Sequence, residues 1–291
     1  MGDEAKAKEF LDKAEKKAKS ASSGLGKLFG GGSSKLEDAA DEFTKAGNLY
    51  KMAKKWDQAG AAFQRAAECY IKSSKHDSAQ AYISASQCFK KGNVSSAVTC
   101  LKAAIEYYTD EGRFAIAANH QKELAEMYEA EGDLDQACQC YQTAADFYEG
   151  ESSSVSSQQC LLKIAQISAQ LERFERAIEI YEKVAAGSLD NNLKQFGVKE
   201  YFLRAILCYL ANDDLVGGER ALQRYKDMQA SFSSSRECRL LEDIIAACRK
   251  NNVEEFTDAI GEFNSVTQLD AWKTAVLLKV KQTLTKEESV Q

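Results

Sequence analysis

Trp56-Asp57-Gln58-Ala59-Gly60-Ala61-Ala62-Phe63-Gln64-Arg65-Ala66-Ala67-Glu68-Cys69-Tyr70 decides the fold, because its spacing returns along the chain. With Ala59 as origin, Trp56 stands three residues before it, Phe63 four after, Ala66 seven after and Tyr70 eleven after. The same frame holds Val94, Ala97, Leu101, Ala104 and Tyr108, then Leu134, Ala137, Tyr141, Ala144 and Tyr148, then Phe174, Ala177, Tyr181 and Val184. A second set falls halfway between. It comprises Leu36, Ala39, Phe43, Ala46 and Tyr50; Ser78, Tyr82, Ala85 and Phe89; Phe114, Ala117, Leu124 and Tyr128, with Gln121 in the aromatic place; and Ser157, Leu161 and Ile164. The origins therefore recur about every 20 residues, as a repeat architecture requires.

At about 100° per residue the five offsets fall within a stripe about 80° wide. Each unit is thus one amphipathic helix with a tight turn, and it buries its stripe only by stacking on its neighbours. Alanine at the origin lets two helices approach, and the large residue after it fills the space between them. Lys91-Gly92-Asn93, Glu111-Gly112-Arg113 and Glu131-Gly132-Asp133 read as turns whose glycine closes a helix in the left-handed conformation. The frame weakens but persists in Leu215, Gly218, Leu222 and Tyr225, and in Val253, Phe256, Ile260 and Phe263. The fold class expected is all-α. A tetratricopeptide-like antiparallel helix-hairpin solenoid, in helix pairs of about 40 residues, fills 1–190, and a C-terminal helical bundle with an acidic tail fills 191–291. Ser152 to Ser157 reads as a serine-rich loop within the fourth pair.

Composition agrees. The 291 residues contain no proline, so nothing interrupts helices by removing a backbone donor. A net charge of −6 argues against general nucleic-acid binding. No signal peptide opens the chain, and the nine cysteines read as reduced thiols of a cytoplasmic protein. No apolar run approaches the length that spans a bilayer.

No enzyme motif emerges, and no metal or other cofactor is expected. Gly24-Leu25-Gly26-Lys27 is too short for a phosphate-binding loop. His76 and His120 are far apart in the chain, and Cys138 and Cys140 on one helix point about 200° apart. Two features remain. The glycine-flanked segment near 24–32 carries Leu25, Leu28 and Phe29, either as a loop that dips into a bilayer beside Lys17, Lys19 and Lys27 or as a linker packed on the first repeat. Cations recur through the middle of the chain, at Lys54, Lys55, Lys90, Lys91, Arg113, Lys163, Lys194, Lys199 and Arg236. Acids gather later, at Glu242, Asp243, Glu254, Glu255, Asp258 and Glu262, with Glu287 and Glu288 near the end. Such an array, basic along one surface and acidic at one end, either holds two different partners or consists of ordinary solvated helix faces.

Phe29-Gly30-Gly31-Gly32-Ser33-Ser34-Lys35, Lys51-Met52-Ala53-Lys54-Lys55-Trp56, Ser74-Lys75-His76-Asp77, Gly112-Arg113-Phe114-Ala115-Ile116-Ala117-Ala118, Cys160-Leu161-Leu162-Lys163, Ser235-Arg236-Glu237-Cys238 and Leu269-Asp270-Ala271-Trp272 resemble the soluble NSF attachment proteins, of the alpha or beta type rather than the gamma type. The resemblance implies a non-enzymatic adaptor, monomeric in solution and peripheral at membranes. Several copies would wrap a SNARE bundle of syntaxin, SNAP-25-like and synaptobrevin-like helices and recruit the hexameric ATPase NSF, which disassembles the bundle in vesicle fusion and ER–Golgi transport. It implies SNARE contacts at Lys54, Lys90, Lys91, Arg113, Lys163, Lys199 and Arg236, and membrane contact at Leu25, Leu28 and Phe29. It implies NSF contacts at Asp213, Glu254, Glu255, Glu287, Glu288 and Val290. The chain departs from the family where Asn119 and Gln159 replace lysines, where Arg249 and Lys250 replace acids, and where Val290 replaces a leucine. The alternative is a generic tetratricopeptide-like scaffold that grips a peptide tail.

Overall fold

In the computed structural model, residues 2–22, 32–189 and 195–288 are described. Leu25, Leu28, Phe29 and Val290 lie outside them, as do the side chains of Glu287 and Glu288.

The described residues form helices joined by short turns, with no strand among them. In chain order these are α1 (Asp3–Ser22), α2 (Gly32–Met52), α3 (Trp56–Tyr70), α4 (Lys75–Phe89), α5 (Val94–Asp110), α6 (Phe114–Glu131), α7 (Leu134–Gly150), α8 (Ser154–Gln170), α9 (Phe174–Leu189), α10 (Gln195–Ala211), α11 (Leu215–Met228), the single turn α12 (Ala230–Ser233), α13 (Arg236–Arg249), α14 (Val253–Asn264) and α15 (Ala271–Glu288). Every helix from α1 to α6 packs on the next, so the array is a run of antiparallel hairpins. The tetratricopeptide-like reading therefore holds. By compactness the chain divides into Met1–Ser157 and Gln158–Gln291, whereas the division expected from the sequence, near 190, falls where residues 190–194 are not described.

The repeat frame is the core. Ala39, Ala59, Ser78, Ala97, Ala117, Ala137, Ser157 and Ala177, the eight origins, are all buried. A serine at an origin needs a partner, because a buried hydroxyl without one costs about 1–3 kcal/mol. Ser78 Oγ donates to the Ala67 carbonyl of α3 at 2.9 Å, and Ser86 Oγ likewise donates to the Ala97 carbonyl of α5 at 2.9 Å. Within Gln158–Gln291 the core is built around Phe202, Tyr225, Phe232, Leu241 and Phe256, with Val276, Leu277 and Val280 of α15 packed into it. All cysteines but Cys248 are buried, and burial pushes the Cys100 thiol up to about 11 and the Cys208 thiol up to about 12.

Seven of the turns share one geometry. Lys54, Gly112, Gly132, Ser152, Glu172, Asp213 and Asn251 have positive φ, and each stands two residues before the next helix begins. The residue that follows often caps that helix. Asp133 accepts from Gln136 N at 3.2 Å, Asp214 from Gly217 N at 2.8 Å, and Asn252 from Glu254 N and Glu255 N at 3.1 Å. Such caps satisfy donors that the first helical turn leaves open.

Two expectations are corrected here. Gly92 does not have positive φ; a Cβ there would lie 2.8 Å from Asp57 Oδ1, so glycine serves close approach between two turns rather than a left-handed closure. The serine run is not a loop throughout, because α8 begins at Ser154 and Ser157 is a buried core residue of its second turn. Serine is neutral in a helix and favoured near its start, so the run is compatible with both states.

Gly132 supplies a clean test of turn conformation. Its φ is 81°, and nothing lies within 4 Å of where a Cβ would be. Gly132→Ala should therefore lower unfolding stability by about 1 kcal/mol through backbone strain alone. An unchanged urea midpoint would show that the turn tolerates a side chain.

Candidate partner-binding faces

The expected cations of Met1–Ser157 sit at turns. Lys54 lies in the α2–α3 connection, and Lys90 and Lys91 follow α4, so antiparallel packing puts all three at one end of the helices. Lys91 Nζ lies 3.8 Å from the centroid of the Trp56 indole, which ties the two turns together by a cation–π contact. Lys54 is exposed, and no described residue pairs with it. Arg113 precedes α6 and so lies at the opposite end.

A chain of contacts nevertheless joins the two ends. Lys90 Nζ reaches back to Glu123 Oε1 on α6 at 3.4 Å. Glu123 Oε2 is 3.4 Å from His120 Nδ1, one turn earlier on the same helix. The His120 ring stacks on Tyr108 of α5, with centroids 6.0 Å apart. The His76 ring meets Tyr108 edge-on at 6.1 Å, and His76 Nδ1 is 3.1 Å from Arg113 Nη1. Arg113 Nε also lies 3.4 Å from Glu111 Oε2, and Gln80 Nε2 donates to the Tyr108 hydroxyl at 2.8 Å. The hydrogen bond from His120 holds the Glu123 carboxyl below the usual carboxylate range, and Lys90 adds to that effect. Sequence reasoning named Lys90 and Arg113 but set the two histidines aside as distant. The signal available was that His76 and His120 both lie within three residues of a repeat origin, two units apart.

Within Gln158–Gln291 the expected cations are differently placed. Lys163 is half-buried on α8. Lys199 Nζ of α10 pairs with Glu237 Oε1 of α13 at 3.2 Å, next to Arg236. Arg236 Nη1 donates to Thr267 Oγ1 at 2.8 Å, and the guanidinium lies 5.6 Å from the centroid of the Phe263 ring. Lys199 and Arg236 are thus neighbours, Lys199 held by Glu237 and Arg236 by Thr267 and Phe263.

The acids converge on one end of this unit. Asp213 occupies the left-handed turn before α11. Glu254 and Glu255 open α14, and Glu255 pairs with Lys250 at 2.8 Å. Arg249, at the end of α13, pairs with Glu219 of α11, which brings the α13–α14 turn beside the α10–α11 turn. A cavity of about 170 Å³ between Asp213, Cys248 and the α15 residues Val280, Thr283 and Leu284 puts the last turns of α15 at the same end. Arg249 and Lys250, found where the family resemblance leads one to expect acids, are therefore each neutralised by a neighbouring acid.

A buried polar cluster fixes α15 to α10. Arg204 Nε donates to Glu200 Oε1 at 2.8 Å, and its Nη2 donates to Asp270 Oδ2 at 2.6 Å. Lys273 Nζ donates to Glu200 Oε1 at 2.9 Å, and Asp270 Oδ1 caps the Lys273 backbone at 2.7 Å. The guanidinium lies over the Trp272 ring at 4.6 Å, and Trp272 Nε1 donates to the Gln166 carbonyl at 3.2 Å. Although burial works against the Asp270 carboxylate, the Lys273 amide and the Arg204 charge hold its pKa below the ordinary value.

Among the described residues no group of His, Cys, Asp and Glu could hold a metal ion, and no helix is long and apolar enough to cross a membrane. Stacked helix hairpins with charged turns in one unit, and a helical bundle with acids at one end in the other, are the parts of a helical-repeat scaffold for holding other proteins. A family model described as "Soluble NSF attachment protein, SNAP" matches residues 5–285. An alpha-soluble NSF attachment protein from Dictyostelium discoideum is 68% identical over 292 residues, covering 100% of both chains. The alpha-soluble NSF attachment protein of Homo sapiens is 42% identical, covering 99% of this chain and 97% of its own. A probable vesicular-fusion protein sec17 homolog of Neurospora crassa is 39% identical over 92% of each. The chain belongs to the soluble NSF attachment protein family.

Proposed function

We propose that this protein is an adaptor that binds assembled SNARE bundles and recruits and stimulates the ATPase NSF, so that the bundle is disassembled during vesicle fusion and transport. Similarity to NSF attachment proteins over the whole of both chains carries this reading. The name of the vesicular-fusion homologue supports the cellular process. The protein supplies no chemistry of its own; ATP hydrolysis belongs to NSF.

A SNARE bundle is a long acidic rod. Lys54, Lys90, Lys91, Arg113, Lys163, Lys199 and Arg236 face it, and Asp213, Glu254, Glu255, Glu287, Glu288 and Val290 face NSF. The convergence of Asp213, Glu254, Glu255 and the last turns of α15 on one end supports the second assignment. Each exposed ion contact is worth only about 0–1 kcal/mol, so affinity comes from many contacts and from several copies of a monomer acting on one bundle. Leu25, Leu28 and Phe29 touch the membrane, which makes the protein peripheral there.

The deciding experiment is ATP-dependent disassembly of a purified SNARE bundle by NSF, with and without this chain. Stimulation of at least about 10-fold is expected, a barrier change of about 1.4 kcal/mol. No stimulation would overturn the function. Saturable binding of an isolated peptide tail, with no binding of the folded bundle, would favour a generic scaffold instead.

A further inference from the structure

We infer that His76 and His120 are positioning residues for Arg113 and Lys90, and that they make partner binding tighter as pH falls. The inference rests on the proposed function, in which these two cations meet an anionic rod. It starts from one observation. The chain has two histidines, and both lie against the Tyr108 ring, His76 edge-on and His120 stacked. Each also touches a group that restrains one cation.

His76 Nδ1 is 3.1 Å from Arg113 Nη1. A guanidinium only donates, so the contact requires a neutral imidazole with its proton on Nε2. Protonation removes the acceptor and sets two cations against each other. Arg113 then keeps only Glu111, on its own turn, and swings toward solvent. At the other end, Glu123 is shared between His120 and Lys90, each at 3.4 Å. Once His120 carries a charge, the carboxylate is matched by the imidazolium and its hold on Lys90 weakens. Acidification therefore adds two positive charges and loosens two cations on one array.

The other ionisable neighbours do not cancel this. Around His76 these are Lys75 on α4, paired at 3.3 Å with Asp110 of α5; Asp77 beside it on α4; Tyr108 of α5; and Glu111 and Arg113 of the following turn. Around His120 they are Glu123 on α6, Lys90 after α4, Tyr108 on α5 and Tyr148 of α7, whose hydroxyl donates to Asn119 at 2.7 Å. Histidine is the side-chain type that changes charge between about pH 5 and pH 8, the range in which the test falls.

The test is binding of a purified SNARE bundle at constant salt from about pH 7.5 to about pH 6, spanning the ordinary histidine pKa. Wild type should gain about 3–10-fold in affinity, an amount in keeping with two weak surface charges. His76→Gln/His120→Gln should bind with a flat profile at an unchanged melting temperature. A flat wild-type profile, or a double variant that keeps the slope, overturns the inference. Absence of binding at every pH would overturn the proposed function instead. The positioning role would then be decided by nuclear magnetic resonance of the chain alone. Arg113 and Lys90 side-chain signals that titrate with the two imidazoles support it, and signals that ignore them refute it.

Discussion

Arg204→Ala lowers the melting temperature by about 10 °C and abolishes stimulation of NSF. The guanidinium is about nine-tenths buried and donates to both Glu200 and Asp270. Removing it leaves two carboxylates with Lys273 alone to match them, and breaking a buried ion pair from one side costs about 3–5 kcal/mol. For a chain of this size each kcal/mol moves the midpoint by roughly 2–4 °C. The loss is also local. Asp270, Trp272 and Lys273 stand at the start of α15, so freeing them loosens the helix whose far end lies beside Asp213. Arg204→Lys keeps the charge but cannot bond two carboxylates with one planar group, and should fall between. The cluster is also acid-sensitive. The folded Asp270 pKa lies below its ordinary value of 3.8, so its stabilising contribution is complete above that value and disappears as pH falls through the folded one. Thermal melts of wild type and Asp270→Asn should therefore converge in strong acid and separate near neutrality. A melting curve for Arg204→Ala that overlays wild type would remove the cluster from any structural role.

The repeat was legible because it is a pattern of size. Alanine or serine at each origin and a large residue after it can be read without knowing which helix lies opposite, and the buried origins follow directly. The contacts that organise the charges were not legible in the same way. Lys90, Glu123, His120, Tyr108, His76 and Arg113 come from three helices and two turns, and only the antiparallel stacking makes them neighbours. Arg204 is the exception, because its local sequence signals a distant partner. It is a single cation inside Tyr201-Phe202-Leu203-Arg204-Ala205-Ile206-Leu207, and a charge in so apolar a run needs a partner from elsewhere. Asp270 and Trp272 carry a likeness to the family, but nothing in their local sequence marks Asp270 as that partner. The turns show the converse. Lys54, Ser152, Glu172, Asp213 and Asn251 adopt the left-handed conformation without being glycine, so residue type alone marks only Gly112 and Gly132.

Lys163→Glu/Lys199→Glu should reduce affinity for a SNARE bundle by about 100-fold while leaving the protein folded. Each reversal removes an attraction to an acidic rod and adds a repulsion of similar size. At a wet surface two such changes amount to about 2–3 kcal/mol, which is the fold-change stated. When several copies hold one bundle, the loss recurs in each copy and capture in a pull-down disappears. Stability responds differently. Lys199→Glu sets a carboxylate against Glu237, but the lost pair involves a half-exposed lysine and is worth less than about 1 kcal/mol, so melting falls by no more than a few degrees. Lys199→Gln removes the attraction without the local repulsion, and separates the two effects. Salt supplies the internal control, because raising ionic strength should weaken wild type more steeply than the double variant, which keeps fewer attractions to screen. If the reversed protein captured the bundle as wild type does, charge on this flank would not be what holds the rod. The apolar contacts of each copy would then have to carry the affinity that so many weak cations are here asked to supply.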